Sequence, residues 1–390
     1  MIEENGKEQL RICLVGPTFP YRGGISHYNT CLAIELMKRH EVSLINYSRL
    51  YPEFLFPGKT QLDESESALS VPSERIIDSI NPFTWIRAGF RAASKRPDMI
   101  IVQWWHPYFA LALFKICQIA RIMQRGKIIF ICHNVVPHER SPIDKLLSRL
   151  AFSAAHGFLV QSGEDRDNLL KLRRRAGVRV HPHPIYDFFR KGGITKEQAR
   201  GRIGAREKHV ILFFGYVRPY KGLHHLLEAM PLIRGRIPAE LFVVGEFYED
   251  KQPYSDLVER LGIVDSVTFV DRYIGNEEVE PYFMASDLVM LPYISATQSG
   301  IVQISLAFDR PVIVTGVGGL PEVVSPGRTG FVVPPADPEA LAAAAVKFFE
   351  EGWGERMAPF FEEERKRFSW EEMAKTLEEL YRGVGEGDTH

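Results

Sequence analysis

Two cations follow an apolar strand in the run FFGYVRPYKGLHHLLEAM, where Arg218 and Lys221 lie in the turn between Gly215 and the next helix. At the carboxyl edge of a sheet such a pair can neutralise a diphosphate, arginine through a bidentate fork and lysine as a point charge. Farther on, PYISATQSGIVQISLAF sets a small polar run, 295–299, in front of Gly300 and an apolar helix. The free amides and positive dipole end of such a helix favour an anion. A third stretch, GPTFPYRGGISHY, places Gly23 and Gly24 in a turn with Ser26 as the expected N-cap, again at a helix start. This is not G-x-G-x-x-G, so the dinucleotide fingerprint is missing. His133 in FICHN and His106 in QWWHPYF both fall at strand ends. Taken singly, each feature has a plain structural reading: a solvated basic turn, a tight strand-to-helix turn, a buried core histidine.

The elements that must position these residues alternate along the chain. Strand-length apolar runs recur at 11–16, 41–47, 99–104, 127–132 and 157–161, with helical periodicity between several of them. A second series occupies 209–215, 239–245, 266–270, 287–292, 311–315 and 330–334. Continuous apolar strands joined by helices predict α/β architecture: two doubly wound, Rossmann-like domains with parallel sheets, facing across a cleft where ligands of such folds bind. The expected boundaries are 1–190 for the first domain, 191–368 for the second, and 369–390 for a closing helix and tail that pack back on the first. Residues 48–80, rich in Pro, Ser and acidic side chains, read as an irregular excursion. In VGGLPEVVSPGRTGF a turn at Gly318 and Gly319 leads to a short helix from Leu320, and Gly327 and Gly330 frame another turn.

Charge is nearly balanced at −1 overall, but residues 1–190 hold 26 Lys and Arg against 18 Asp and Glu, so the second half is acidic. A basic first half fits either an anionic partner or a complementary second domain. The four cysteines have no C-x-x-C spacing, which predicts buried free thiols and no zinc site. The polar opening MIEENGKEQL lacks the apolar core of a signal peptide, and no apolar run is long enough to span a bilayer, so a cytoplasmic location is expected.

Taken together, GYVRPYKGLHHLLEA, ASDLVMLP and RPVIVTGVGGLPEVVSPGRTGFVVPPADPEAL resemble family 4 glycosyltransferases, the retaining enzymes of GT-B fold, over roughly residues 209–345. RGGI with its preceding strand extends the likeness to the start of the chain, which looks similar to bacterial enzymes of cell-surface polysaccharide synthesis. The resemblance implies that Arg218 and Lys221 hold the diphosphate of a nucleotide-sugar donor (UDP-, GDP- or another). It implies that the amides of Ser299, Gly300, Ile301 and Val302 meet the same phosphates, and that Gly23 and Gly24 border the donor and acceptor from the other domain. His133 matches the histidine placed beside the transferred sugar; His106 is a second candidate for acceptor or sugar contact. Where many members carry two glutamates in the donor loop, this chain has Ala296 and Ile304, with Thr297, Gln298 and Gln303 as neighbours able to substitute. Tyr216 replaces the usual arginine after the strand glycine.

The reading is a metal-independent, retaining transfer from a nucleoside-diphosphate sugar to a saccharide or lipid-linked acceptor, without a cofactor and without nucleic acid. No Asp-x-Asp motif is present. Two other readings stay open: a GT-B epimerase, and a non-catalytic sugar-nucleotide-binding protein. The basic, aromatic-containing stretches 81–97, 113–127 and 169–179 fit peripheral contact with an anionic membrane.

Overall fold

The computed structural model describes residues 9–53, 60–123, 126–135 and 143–384. The chain divides into two compact units: the first takes in the residues up to Asp63, Ala68–His181 and the segment from Trp370 on, and the second holds Glu64–Ser67 and Pro182–Ser369. The polar chain start (1–8), and parts of two segments singled out above (54–59 and 124–125), lie outside the described residues.

The first unit is a seven-stranded sheet of β1 (Arg11–Val15), β2 (Glu41–Arg49), β3 (Glu74–Asp78), β4 (Met99–Trp104), β5 (Lys127–Cys132), β6 (Gly157–Val160) and β7 (Gly177–Val180). Its order is β3-β2-β1-β4-β5-β6-β7, and every pairing is parallel. Central strands such as MIIVQW are buried on both faces, because helical crossovers cover each side. Two strands had no counterpart in the sequence reading. β3 lies inside the stretch expected to be irregular, and β7 follows a basic run; both are sheet edges, where half of each strand can stay polar.

The helix Trp370–Gly383 packs within this first unit. Gly157 and Gly177 admit it: a Cβ at Gly157 would stand 2.8 Å from Val384 Cγ1 and one at Gly177 3.0 Å from the same atom. Buried Glu378 accepts from His40 Nε2 at 3.2 Å and pairs with Arg39 at 3.3 Å. Tyr28 lies edge-on to Trp370 at 5.1 Å.

The second unit repeats the logic with six strands: β8 (His209–Phe214), β9 (Ala239–Val244), β10 (Val267–Val270), β11 (Leu288–Leu291), β12 (Val312–Thr315) and β13 (Gly330–Val333). The order is β10-β9-β8-β11-β12-β13, all parallel. In each unit the strand order reverses beside the first strand, between β1 and β4 and between β8 and β11. In doubly wound sheets the crevice at the carboxyl ends of those strands receives ligands. All four cysteines are buried and free, and burial raises the thiols of Cys13 and Cys117 to about 12. No helix among the described residues is long and apolar enough to cross a membrane.

Candidate functional site

The second unit's reversal point is built around Gly215, which ends β8 at φ +101°. A Cβ there would lie 3.1 Å from Lys221 Nζ and 3.3 Å from Ile301 Cδ1, so the lysine and the first turn of the helix Gly300–Ala307 converge on this glycine. The intervening chain makes a 3-10 turn, Pro219–Lys221, closed by Gly222 at φ +64°. Only glycine suits Gly222 twice over: the left-handed conformation penalises a side chain, and a Cβ would fall 2.1 Å from the Pro292 carbonyl oxygen. The amide of Ile294 donates to Tyr220 O at 2.7 Å, tying this turn to the segment that follows β11.

Lys221 is 8% exposed, and neither it nor half-buried Arg218 has an ion-pair partner among the described residues. Burial first, and the neighbouring Arg218 second, lower the Lys221 ammonium from 10.5 to about 8. Its Nζ lies 5.5 Å from the Tyr293 ring centre, and Arg218 lies 4.9 Å from that of Tyr248. Those rings give modest cation–π support but no counter-charge. Tyr293 OH stands 3.3 Å from Ser299 Oγ, which links the residue under the lysine to the helix cap.

Ser299 is the N-cap: its Oγ accepts from the Ile301 amide at 3.3 Å, and its carbonyl accepts from Val302 N at 3.2 Å. Two of the four amides expected to meet phosphate are therefore satisfied within the cap. The amides of Ser299 and Gly300 have no acceptor among the described residues. Thr297 O accepts from Gly319 N at 2.9 Å, and Gly318, at φ +51°, would place a Cβ 1.8 Å from Ala296 O. The double glycine read from the sequence as a flexible turn thus lets the next loop press against 296–297. Gln298 is half-buried. Gln303 is fully buried, and neither its Oε1 nor its Nε2 meets a partner among the described residues. Ile304 is buried and Ser305 Oγ donates to Ile301 O at 2.8 Å, so the helix offers no carboxylate where the glutamates were looked for.

At the first unit's reversal point Gly23, not Ser26, is the N-cap of the helix Gly24–Met37; it sits at φ +104°, and Ser26 lies inside the helix, buried, with its carbonyl accepting from Thr30 Oγ1 at 2.8 Å. A Cβ at Gly23 or at Gly24 would meet no atom within 4 Å, so the space beside both glycines is open.

His133, 6% exposed, follows β5 and is clamped by two glutamines from the flanking strands. Gln103, in β4, donates from Nε2 to Asn29 Oδ1 at 3.0 Å, which leaves its Oε1 to accept from His133 Nε2 at 2.8 Å. Gln161, just past β6, donates to His133 Nδ1 at 3.1 Å. Asn29 Nδ2 passes the chain to Pro17 O at 3.1 Å. The donors all run one way, from Gln161 through His133, Gln103 and Asn29 to a main-chain carbonyl, which fixes the imidazole as the neutral Nε2–H tautomer. Tyr28 closes the ring edge-on at 4.6 Å. Gly16 makes room, since its Cβ would stand 2.6 Å from Gln103 Cγ. The sequence singles out His133 but not the glutamines that clamp it. The signal was available: a glutamine in the MIIVQW run and another ending GFLVQ, polar residues in otherwise apolar strands on either side of the histidine's own. His106 is exposed, and its Nδ1 accepts from Tyr108 N at 3.1 Å, capping the turn Pro107–Phe109.

Among the described residues no group of three or more His, Cys, Asp or Glu is arranged to hold a metal ion.

Two parallel sheets in the Rossmann order, each with glycine turns at its reversal point, give this chain the fold of the GT-B glycosyltransferases. Residues 208–351 match the family model described as Glycosyl transferases group 1. A D-inositol 3-phosphate glycosyltransferase of Streptomyces avermitilis is 28% identical over 243 residues, covering 59% of this chain and 52% of the relative. The same-named protein of Corynebacterium urealyticum is 33% identical over 199 residues, 48% of this chain and 46% of its own. The chain spans about half the length of these curated relatives. Among solved structures, Anabaena HepE in complex with UDP superposes with a TM-score of 0.73 at 17% identity, covering 95% of this chain and all of the other. Sucrose-phosphate synthase from Thermosynechococcus elongatus gives 0.71 at 20%, covering 96% and 98%.

Proposed function

We propose that this chain is a retaining glycosyltransferase that moves a sugar from a nucleoside-diphosphate donor to a saccharide or lipid-linked acceptor, in bacterial polysaccharide or glycolipid synthesis at an anionic membrane. The observation that carries the reading is a buried lysine beside an arginine, both without counter-ions among the described residues, at the reversal point of the second sheet and next to a capped helix start. Two unneutralised cations in a partly dry site create a field that a diphosphate satisfies. The solved complex of HepE with UDP supports the donor class.

In the proposed reaction the bond from the anomeric carbon to the diphosphate breaks while a bond forms to the acceptor oxygen on the same face. The acceptor proton passes to the departing phosphate oxygen. The polar run 295–299 contains no carboxylate to serve as a covalent nucleophile, so this route is favoured over double displacement. Arg218, Lys221 and the amides of Ser299 and Gly300 stabilise the charge that gathers on the leaving group. Thr297, Gln298 and Gln303 are proposed for the donor's hydroxyl groups in place of the missing glutamates. On the acceptor side, Gly23 and Gly24 provide open space. His133 stands by the transferred sugar as a fixed neutral ring rather than as an acid or base, because both of its nitrogens are engaged.

The deciding experiment is calorimetry with UDP, GDP, ADP and TDP, followed by turnover of the matching sugar nucleotides with and without acceptor. Tight binding of one nucleotide, lost in Lys221→Ala, with donor consumed in an acceptor-dependent way, is the expected result. Binding of none of the four defeats the proposal, and acceptor-independent conversion of the sugar points to an epimerase. Turnover is expected to survive EDTA, since the cations do the work of a metal; activity lost to EDTA and restored by Mn²⁺ refutes that part.

A further inference from the structure

On the helix Pro82–Ser94 the large apolar residues face the wrong way for a water-facing surface. The exposed stripe at i, i+3, i+4, i+7 and i+8 is Phe83, Ile86, Arg87, Phe90 and Arg91, with Phe83 82% and Phe90 54% exposed. The buried side is made of Ala88, Gly89, Ala92 and Ala93. A helix that turned only its packing face inward would distribute these residues in the opposite sense. The small residues let the neighbouring helix Ala110–Ile122 come close, as a Cβ at Gly89 would lie 2.9 Å from Ile119 Cβ. That second helix exposes Leu111 and, at 73%, Ile122. It packs in turn on the helix Asp144–Phe152, with Arg121 donating to Ser153 O at 3.0 Å, and there Leu146 is 69% exposed beside Ile143.

Cations are interleaved with these apolar residues. Arg87, Lys145 and Arg149 are without an ion-pair partner among the described residues, and Asp144 is the only acidic residue in the three helices. Of the three basic stretches noted in the sequence, 81–97 and 113–127 contribute to this face. In the stretch 169–179, Leu169 is buried and Arg173 donates to the carbonyls of Phe152 and Ala155, while Lys171, Arg174, Arg175 and Arg179 are exposed.

We infer that the outward face of these three neighbouring helices is the surface by which the first unit seats on an anionic lipid bilayer, with Phe83, Phe90, Ile122 and Leu146 entering the headgroup–acyl boundary and Arg87, Lys145 and Arg149 meeting lipid phosphates. Isolated exposed apolar residues are ordinary, but a set running across three adjacent helices is not. Apolar side chains among unpaired cations match the composition of interfacial helices. A second copy of the chain is a poorer occupant, because a two-fold contact through this face would set the same cations against themselves. The inference deepens the membrane element of the proposed function and is independent of donor chemistry.

Flotation of the full chain tests it, using phosphatidylcholine vesicles with and without about a third phosphatidylglycerol at low salt. Wild type should float with the anionic vesicles and remain behind with the neutral ones. Phe83→Glu/Phe90→Glu should lower vesicle binding roughly tenfold or more while keeping the wild-type melting temperature and nucleotide affinity, since both side chains are exposed. No flotation of wild type with anionic vesicles overturns the inference, as does equal flotation of the double variant. A double variant that alters only the sedimentation mass, with vesicle binding intact, also overturns it and assigns the face to self-association. Nucleotide binding on the same samples separates these outcomes from a failure of the transferase reading.

Discussion

Lys221 should make the unliganded protein less stable than it could be. Its ammonium is buried without a counter-ion among the described residues, and the fall from 10.5 to about 8 is equivalent to roughly 3 kcal/mol of preference for the neutral form at about 1.4 kcal/mol per pH unit. The sign follows from proton counting. Between about 8 and 10.5 the unfolded chain holds a proton on this lysine that the folded chain has lost, so stability rises with pH across that window. Below about 8 the full cost is present. Lys221→Met keeps the stem's volume and removes the charge. At neutral pH it should stabilise the unliganded protein by up to about 3 kcal/mol, which for a unit of this size is several degrees of melting temperature. The gain should shrink towards zero as pH approaches 10.5, other titrations cancelling in the difference between the two proteins. The same substitution should abolish nucleotide binding. Differential scanning calorimetry from pH 7 upward, paired with titration calorimetry, measures both. A Lys221→Met protein that is less stable than wild type at pH 7, or that binds nucleotide as tightly, refutes the argument that this cation is held in place for an anion.

Other expectations bear on the rest of the site. Arg218→Ala should weaken nucleotide binding by at least about tenfold, the scale of one charge-assisted contact, with melting little changed, because among the described residues Arg218 has no ion pair to lose and its contact with the Tyr248 ring is offset by relief of its repulsion on Lys221; a shift of several degrees would contradict this. Gly222→Ala should cost more than about 2 kcal/mol in chemical denaturation, combining a left-handed penalty with the 2.1 Å approach to Pro292 O, and a midpoint like wild type would be inconsistent with the turn described. Gln161→Leu removes the donor to His133 Nδ1 and should cost about 1–3 kcal/mol. ¹⁵N spectra of the imidazole should show the Nε2–H tautomer in wild type, and the Nδ1–H form there would overturn the assigned direction of the chain. Gln303→Leu should stabilise the free protein while weakening donor binding; stabilisation with full affinity would make Gln303 a core residue only.

How much of this was legible in advance differed by residue. Strands buried on both faces, such as HVILFF and KIIFIC, declare themselves as unbroken apolar runs. β3 (ERIID) and β7 (GVRV) do not, because an edge strand covers one flank only and tolerates charge there. The two cations and the helix start at Gly300 were readable from turn chemistry; the side-chain cap by Ser299 came with the structure. The cap at Gly23 was mistaken for Ser26, since propensity favours serine while the open backbone at this turn requires a positive φ. The glutamines around His133 were visible as misplaced polar residues, yet only the sheet register, which sets Cys132 opposite Trp104 and Val160, brings them to one ring. The exposed apolar face of the three helices illustrates the opposite limit: composition flagged basic, aromatic stretches, but which side of each helix faces out depends on packing against Gly89 and its neighbours.

The closing helix Trp370–Gly383 has a consequence for how the protein is made. Because it completes the first sheet's covering at Gly157 and Gly177, the earlier unit cannot finish until the later one has emerged from the ribosome. About 190 residues intervene, a wait of roughly ten to forty seconds at ordinary elongation rates. During it, the surface destined for Trp370, Leu377 and Leu380 stands bare to water. Apart from Glu64–Ser67, the second unit is an unbroken insertion, 182–369, in the chain of the first, so stopping translation at 181 should leave a piece that clumps.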